Sequence, residues 1–306
     1  MIMVIMEHLP LFCYFEEYQM GLSRSYLRPF LCLIEMPLFM AISGYVCKYN
    51  SFKLSDKWKL LIPFFLIGLF FYILLGNPIG FLTNGKKCGY WFFWVIFVFY
   101  VLLYLIRRTR LNLYLGSIIV WGLLLIIGHY LSLEWRDYLS WRDIELLWPY
   151  FVWGVILKYI DFEKHINKKL LFYIFMPLLI AVLFVFCKKV IHIMVLSILA
   201  KMLLIVLMIV LFHDLENLFK GKSSKFKTII KKVGSDIGTN TLQIYSLHFI
   251  VFHFTRTPAL GNFLLEHNML WAEFIISPVL AIILSYICIY TAKLMYKLHL
   301  GFVFGR

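Results

Sequence analysis

Charge is scarce in this sequence. Only 15% of its residues are Asp, Glu, Lys or Arg, against about 25% in an ordinary soluble domain. Acids are rarest, at 16 in 306 residues. No long polar stretch remains that could cover a large water-facing core. The six cysteines (Cys13, Cys32, Cys47, Cys88, Cys187, Cys288) are scattered and mostly lie in apolar runs. They form no C-x-x-C and no Cys/His cluster with zinc spacing, so they read as core thiols, with neither a disulfide framework nor a metal site. There is no G-x-S-x-G, Walker loop, H-E-x-x-H or glycine-rich dinucleotide turn. No repeat of twenty to fifty residues is present, and the chain reads as one domain, 1–306. The first segment has neither a basic flank before it nor a small-residue cleavage site after it, so it does not read as a signal peptide.

What fills the chain is apolar. Hydrophobic residues make up 62%, with 30 Phe and 19 Tyr among them, and mean hydropathy is +0.85. That is the composition of a polytopic membrane protein. Ten apolar stretches run roughly over 1–15, 29–48, 59–76, 90–106, 111–128, 146–160, 170–187, 190–212, 241–255 and 270–295. Several approach the roughly 20 residues a helix needs to cross the hydrocarbon. The net charge of +14 lies in short runs between them, which points to membrane topology and away from nucleic acid. With a cytoplasmic N-terminus, the inside loops hold Lys48, Lys53, Lys57 and Lys59, then Arg107, Arg108 and Arg110, then Lys158, Lys164, Lys168 and Lys169. The fourth inside loop, within 214–236, is basic and partly amphipathic, suited to anionic lipid. The outside loops are poorer in basic residues. The expected fold is therefore an all-α transmembrane bundle of about ten helices with both termini cytoplasmic.

An ionisable group within a bilayer helix is costly, and each one is a functional candidate. Those here are Glu7, His8, Glu35, His192, Lys201, His248 and His253. Lys201 and His192 also fit snorkelling near an interface. His248 and His253 project about 140° apart around a helix and need not share a site. His8 and Glu35 fall at matching depths, roughly 10 Å below the outer surface, on consecutive helices. A carboxylate there would orient an imidazole. The string "HYLSLE" (129–134) has the His-x4-acid spacing of glycerolipid acyltransferases, with Glu for Asp and no supporting context, and is set aside as chance.

Five pieces, in this order and spacing, resemble the acyltransferase 3 family of integral-membrane acyltransferases. They are "IEMPLFMAISGYVCK" (34–48), "KWKLLIPFF" (57–65), "GYWFFWVIFVFYVLLYL" (89–105), "LWPYFVWGVILKY" (147–159) and "GTNTLQIYSLHFIVFH" (238–253). The family includes bacterial O-acetyltransferases of surface polysaccharides. The resemblance implies ten membrane helices in the bacterial cytoplasmic membrane, acyl-CoA (acetyl-CoA above all) as donor and a carbohydrate hydroxyl as acceptor. It also implies a key first-helix histidine in a V-x-x-x-H context, which "VIMEHL" places at His8.

Three departures stand out. The arginine and acid that relatives carry earlier in the first helix are missing, so the expectation is a truncated first helix or a start upstream of Met1. Asp56 and Lys59 stand where the family often has two arginines spaced R-x-x-R. Glu35 stands where relatives often have histidine.

The expected chemistry is thioester-to-hydroxyl acyl transfer. An alcohol needs a base within reach of its proton, a task for His8, with Glu35 beside it. Transfer through an acyl-His8 is the other route. Lys57, Lys59, Arg107, Arg108 and Arg110 are expected at the donor's phosphates. Ser43, Tyr245 and His248 are expected in the substrate pocket. Two other readings are carried forward: a transporter or flippase of lipid-linked glycans using the buried His and Glu for protons, and a non-catalytic acyltransferase remnant.

Overall fold

In a computed structural model, residues 1–15, 21, 23–160, 194–219 and 225–305 are described. Every regular element among them is helical, with no strand. The 170–187 stretch, Cys187 and His192 lie outside the described residues, as does 220–224 of the basic loop.

The main helices are α1 (Ile2–Leu9), α2 (Arg28–Tyr45), α3 (Leu54–Leu74), α4 (Trp91–Arg108), α5 (Leu113–Tyr130), α6 (Trp141–Tyr159), α7 (Met194–Phe219), α8 (Lys225–Thr239), α9 (Thr241–Phe254), α10 (Pro258–Glu266) and α11 (Glu273–Lys297). Among the described residues, four spans are long and apolar enough to cross a bilayer: Leu54–Leu74, Trp91–Arg108, Leu113–Tyr130 and Leu270–Lys297. Ile2–Tyr14 and Ser197–Phe212 are apolar but shorter.

Two prolines leave a visible mark. α1 continues as a π-helical turn over Pro10–Tyr14, and Pro63 precedes another over Phe64–Gly68 inside α3. Proline removes a backbone donor and crowds the carbonyl one turn back, so the hydrogen-bond register widens locally. The first of these turns begins two residues after His8.

By internal packing the chain divides into two compact units: Met1–Cys32, Phe52–Leu146 and Asp236–Arg306 form the first, and Leu33–Ser51 with Leu147–Ser235 the second. In the first unit, α11 packs along α1 and along α9, and α10 packs on the π turn after α1. Tyr14 and Ser277 share a buried hydroxyl hydrogen bond of 2.8 Å between that turn and α11. The segments between α3 and α6 are tied down by polar contacts. The Trp94 indole donates to the Leu139 carbonyl and that of Trp141 to Leu124. Lys86 pairs with Asp143, and Arg136 with Glu145. Lys87 Nζ donates to the carbonyls of Phe81, Leu82 and Asn84 at the end of the Gly80–Thr83 turn, and burial holds its ammonium below the usual lysine range.

Glu273 does the most local work. It is fully buried at the start of α11. Its Oε2 accepts from Ser25 Oγ at 2.7 Å, from the Tyr26 amide at 3.1 Å and from the Leu27 amide at 3.2 Å. Ser25 Oγ in turn accepts from the Arg28 amide at 3.1 Å. A carboxylate from a distant helix thus satisfies the amides that open α2, where donors lack helical partners. Glu273→Ala strands this group, at about 1–3 kcal/mol for each buried donor left unsatisfied. The purified variant is expected to unfold at a clearly lower temperature than wild type. Glu273→Gln, which keeps an acceptor oxygen, is expected to fall between them. Equal midpoints for Ala and wild type would show that the cap contributes nothing.

In the second unit the α2 and α6 segments meet backbone to backbone. A Cβ on Gly44 would lie 1.9 Å from the Phe151 carbonyl oxygen, and one on Gly154 would lie 1.8 Å from that of Ala41. Small residues on both helices permit this close crossing.

Candidate active site

His8 lies on the last turn of α1, where the strong apolar content of Ile2–Leu9 buries Val4, Ile5 and Leu9 and leaves His8 half-buried. Its Nδ1 is 2.6 Å from the Val4 carbonyl oxygen, one turn back. Its Nε2 is 3.4 Å from Glu7 Oε2. Glu7 is buried, and its other oxygen, Oε1, sits 2.9 Å from Arg28 Nε and accepts from the Cys32 thiol at 3.2 Å. Arg28 and Cys32 are four residues apart on α2, so they share one face and converge on the same carboxylate oxygen. The order is guanidinium, carboxylate, imidazole. His8 Nδ1 thus faces the Val4 carbonyl oxygen and Nε2 faces the Glu7 carboxylate.

α9 supplies the opposite wall. His248 is fully buried and stands edge-on to His8, with ring centroids 5.6 Å apart. His248 Nδ1 is 2.7 Å from the Tyr245 carbonyl. With the proton on Nδ1 donated there, Nε2 carries the lone pair, and Nε2 is buried with no hydrogen-bond partner. A buried acceptor left in this state is costly unless a ligand donor reaches it. Phe249 packs edge-on to His8 at 5.0 Å, and Phe12 stacks beside His8 at 5.8 Å. Tyr245 OH donates to the Gly89 carbonyl at 2.6 Å. Gly89 has φ +85°, and a Cβ there would meet the Phe249 ring at 2.0 Å, so only glycine lets this loop lie against the aromatic wall.

The residues expected from the sequence fall in both units. His8, Tyr245 and His248 come together in the first unit. Glu35, buried, and Ser43, whose Oγ donates to the Phe39 carbonyl at 2.8 Å, belong to the second. Within the first unit, a carboxylate that reaches His8 is Glu7, its own chain neighbour. Arg28, which the sequence analysis did not single out, and Cys32, read as a core thiol, are the residues sequence reasoning missed. The i,i+4 spacing of Arg28 and Cys32 at the mouth of a helix was the available signal.

The basic residues gather elsewhere in the first unit. Lys57 Nζ lies over the Tyr100 ring at 4.4 Å, and the Arg107 guanidinium lies over Phe52 at 4.5 Å and Tyr104 at 5.6 Å. Arg108 donates to Tyr104 OH at 3.4 Å. Lys59 is exposed, and its carbonyl lies against Gly305. Arg110 is an exposed residue with φ +58° just past α4.

A family profile described as an acyltransferase domain matches residues 1–290. The chain belongs to the acyltransferase 3 family. The match runs through α1 with its Glu7–His8 pair and into α11 as far as residue 290. No curated protein and no solved structure matches the chain. As a family member with several apolar helices, this protein is a membrane acyltransferase, and that activity requires an acyl donor and an acceptor.

Proposed function

We propose that this acyltransferase moves an acetyl group from acetyl-CoA to a hydroxyl of a cell-surface carbohydrate, with His8 as general base. The observation that carries the reading is the Arg28–Glu7–His8 alignment in a chain of this family. In this mechanism the His8 imidazole takes the proton of the attacking hydroxyl as its oxygen bonds to the thioester carbonyl carbon. The Glu7 carboxylate stabilises the imidazolium that forms, and Arg28 holds Glu7 in place. Collapse of the tetrahedral intermediate breaks the C–S bond. The CoA thiolate leaves, and the proton on His8 is returned to it, restoring the base. The unpartnered Nε2 of His248 is placed to accept a hydrogen bond from a hydroxyl of the incoming sugar.

The same reading gives ten membrane spans with both termini cytoplasmic, in the cytoplasmic membrane of a bacterium. The donor approaches from the cytoplasmic side, where Lys57, Lys59, Arg107, Arg108 and Arg110 meet its phosphates. Deleting the gene in its native host tests the whole reading. NMR of the surface glycans is expected to show loss of a defined base-labile acyl ester, with glycan amount unchanged and the ester restored by the wild-type gene. Loss of the glycan itself would instead mark an exporter. Identical spectra in the two strains would overturn the assignment.

A further inference from the structure

Residues 52–58, at and just before the start of α3, and the second half of α4 line an open groove of about 540 Å³, within the roughly 300–1,000 Å³ range of small-molecule sites. Its walls are unusual for a membrane protein surface. Phe52, Trp58, Phe97 and Tyr104 supply four aromatic rings, and Lys53 and Arg107 supply cations. Trp58 is 52% exposed despite its size. The Arg107 guanidinium sits over the Phe52 ring, 4.5 Å from its centre, which brings together two loops that the charge pattern independently assigns to the cytoplasmic side. Asp56 is the acid nearest in sequence, on the short turn Leu54–Asp56, and is outside the cavity lining. Lys57, next to Trp58, faces Tyr100.

Flat aromatic faces recognise a planar heterocycle by stacking, which tolerates any base with a π-face. A guanidinium placed by an aromatic ring binds phosphate through paired N–H donors. A cavity that combines the two and is not lined by a carboxylate suits a purine nucleotide better than a sugar or an acyl chain.

We infer that this cavity holds the phosphoadenosine end of the acyl donor, with the adenine against Trp58 and Tyr104 and the phosphates at Lys53 and Arg107. This inference rests on the proposed use of acyl-CoA, and it assigns the donor's nucleotide end to a pocket in which Trp58 has a binding role beyond that of an interfacial anchor.

The test is calorimetric titration of the full chain, in nanodiscs of neutral lipid, with adenosine 3′,5′-bisphosphate. Wild type is expected to bind it. Trp58→Leu and Arg107→Gln are each expected to weaken binding about tenfold or more, the scale of a lost charge-assisted hydrogen bond or stacking contact. Trp58→Phe, which keeps a ring, is expected to stay within about threefold. It also controls for folding. Absence of nucleotide binding by wild type, equal binding by the Leu and Gln variants, or pyrophosphate binding as tightly as the nucleotide would each overturn the inference. Failure of the donor reading looks different: nucleotide binding with the expected variant losses, but no acyl transfer from acetyl-CoA by wild type.

Discussion

His8→Gln is expected to lower the turnover of acetyl-CoA by about two to four orders of magnitude, the range supplied by a positioned general base. Glutamine keeps the size of the side chain and a polar end, so binding of donor and acceptor should change little and the loss should fall on kcat. Release of CoA thiol by purified protein with a carbohydrate acceptor reads this directly. Glu7→Gln is the informative companion. It leaves His8 in place and removes the charge 3.4 Å from its Nε2. A charged contact of this kind is worth about 1.5–3 kcal/mol, so kcat is expected to fall by roughly 10- to 150-fold. The chain carrying Glu7→Gln must still elute as a single folded species, since Arg28 loses its partner. Full activity in His8→Gln would remove His8 from the chemistry. Full activity in Glu7→Gln would leave Glu7 a purely structural anchor for Arg28.

Gly154→Leu is expected to abolish accumulation of folded protein. At this crossing even a methyl group has no room, because a Cβ on Gly154 meets the Ala41 carbonyl oxygen at 1.8 Å and the next closest atoms are also backbone. No side-chain rotation relieves such a contact. The helices must separate, which gives up close packing along both. Overpacking of a tight core costs about 1–3 kcal/mol and more when backbone must move. Gly154→Ala is therefore expected to lower the unfolding midpoint clearly, and Leu to exceed what the unit tolerates. Gly44→Ala, facing the Phe151 carbonyl at 1.9 Å, should behave like Gly154→Ala. Gly122→Ala on α5 is the control: nothing lies within 4 Å of its added carbon, so no loss is expected. Thermal unfolding of the detergent-solubilised proteins separates these cases. An unshifted midpoint in Gly154→Ala would mean that the two helices do not depend on the glycine contact.

Much of this architecture was legible from residues in order. The apolar runs at 59–76, 90–106, 111–128 and 270–295 became the four long membrane-length spans, because hydropathy summed over some twenty residues leaves little choice of environment. The family's sequence pieces were legible for the same reason: each is local. The π turns after His8 and at Phe64–Gly68 were foreshadowed only by Pro10 and Pro63, since proline signals a break in register without stating its form.

What lies around His8 was decided by tertiary structure. The sequence alone determined that an acid and an imidazole sit together at positions 7 and 8 within an apolar segment, and that their burial needs compensation. It left open which partners compensate them. That depends on helix azimuth and on contacts between residues far apart in the chain. Arg28 and Cys32 reach Glu7 from α2, His248 reaches His8 from α9 across some 240 residues, and Glu273 fixes the start of α2 from α11. Hydrophobic length sets which segments enter the membrane. The rotation of each helix about its axis is set by close packing and by the need to satisfy every buried polar group, and those are properties of the assembled unit rather than of any one segment.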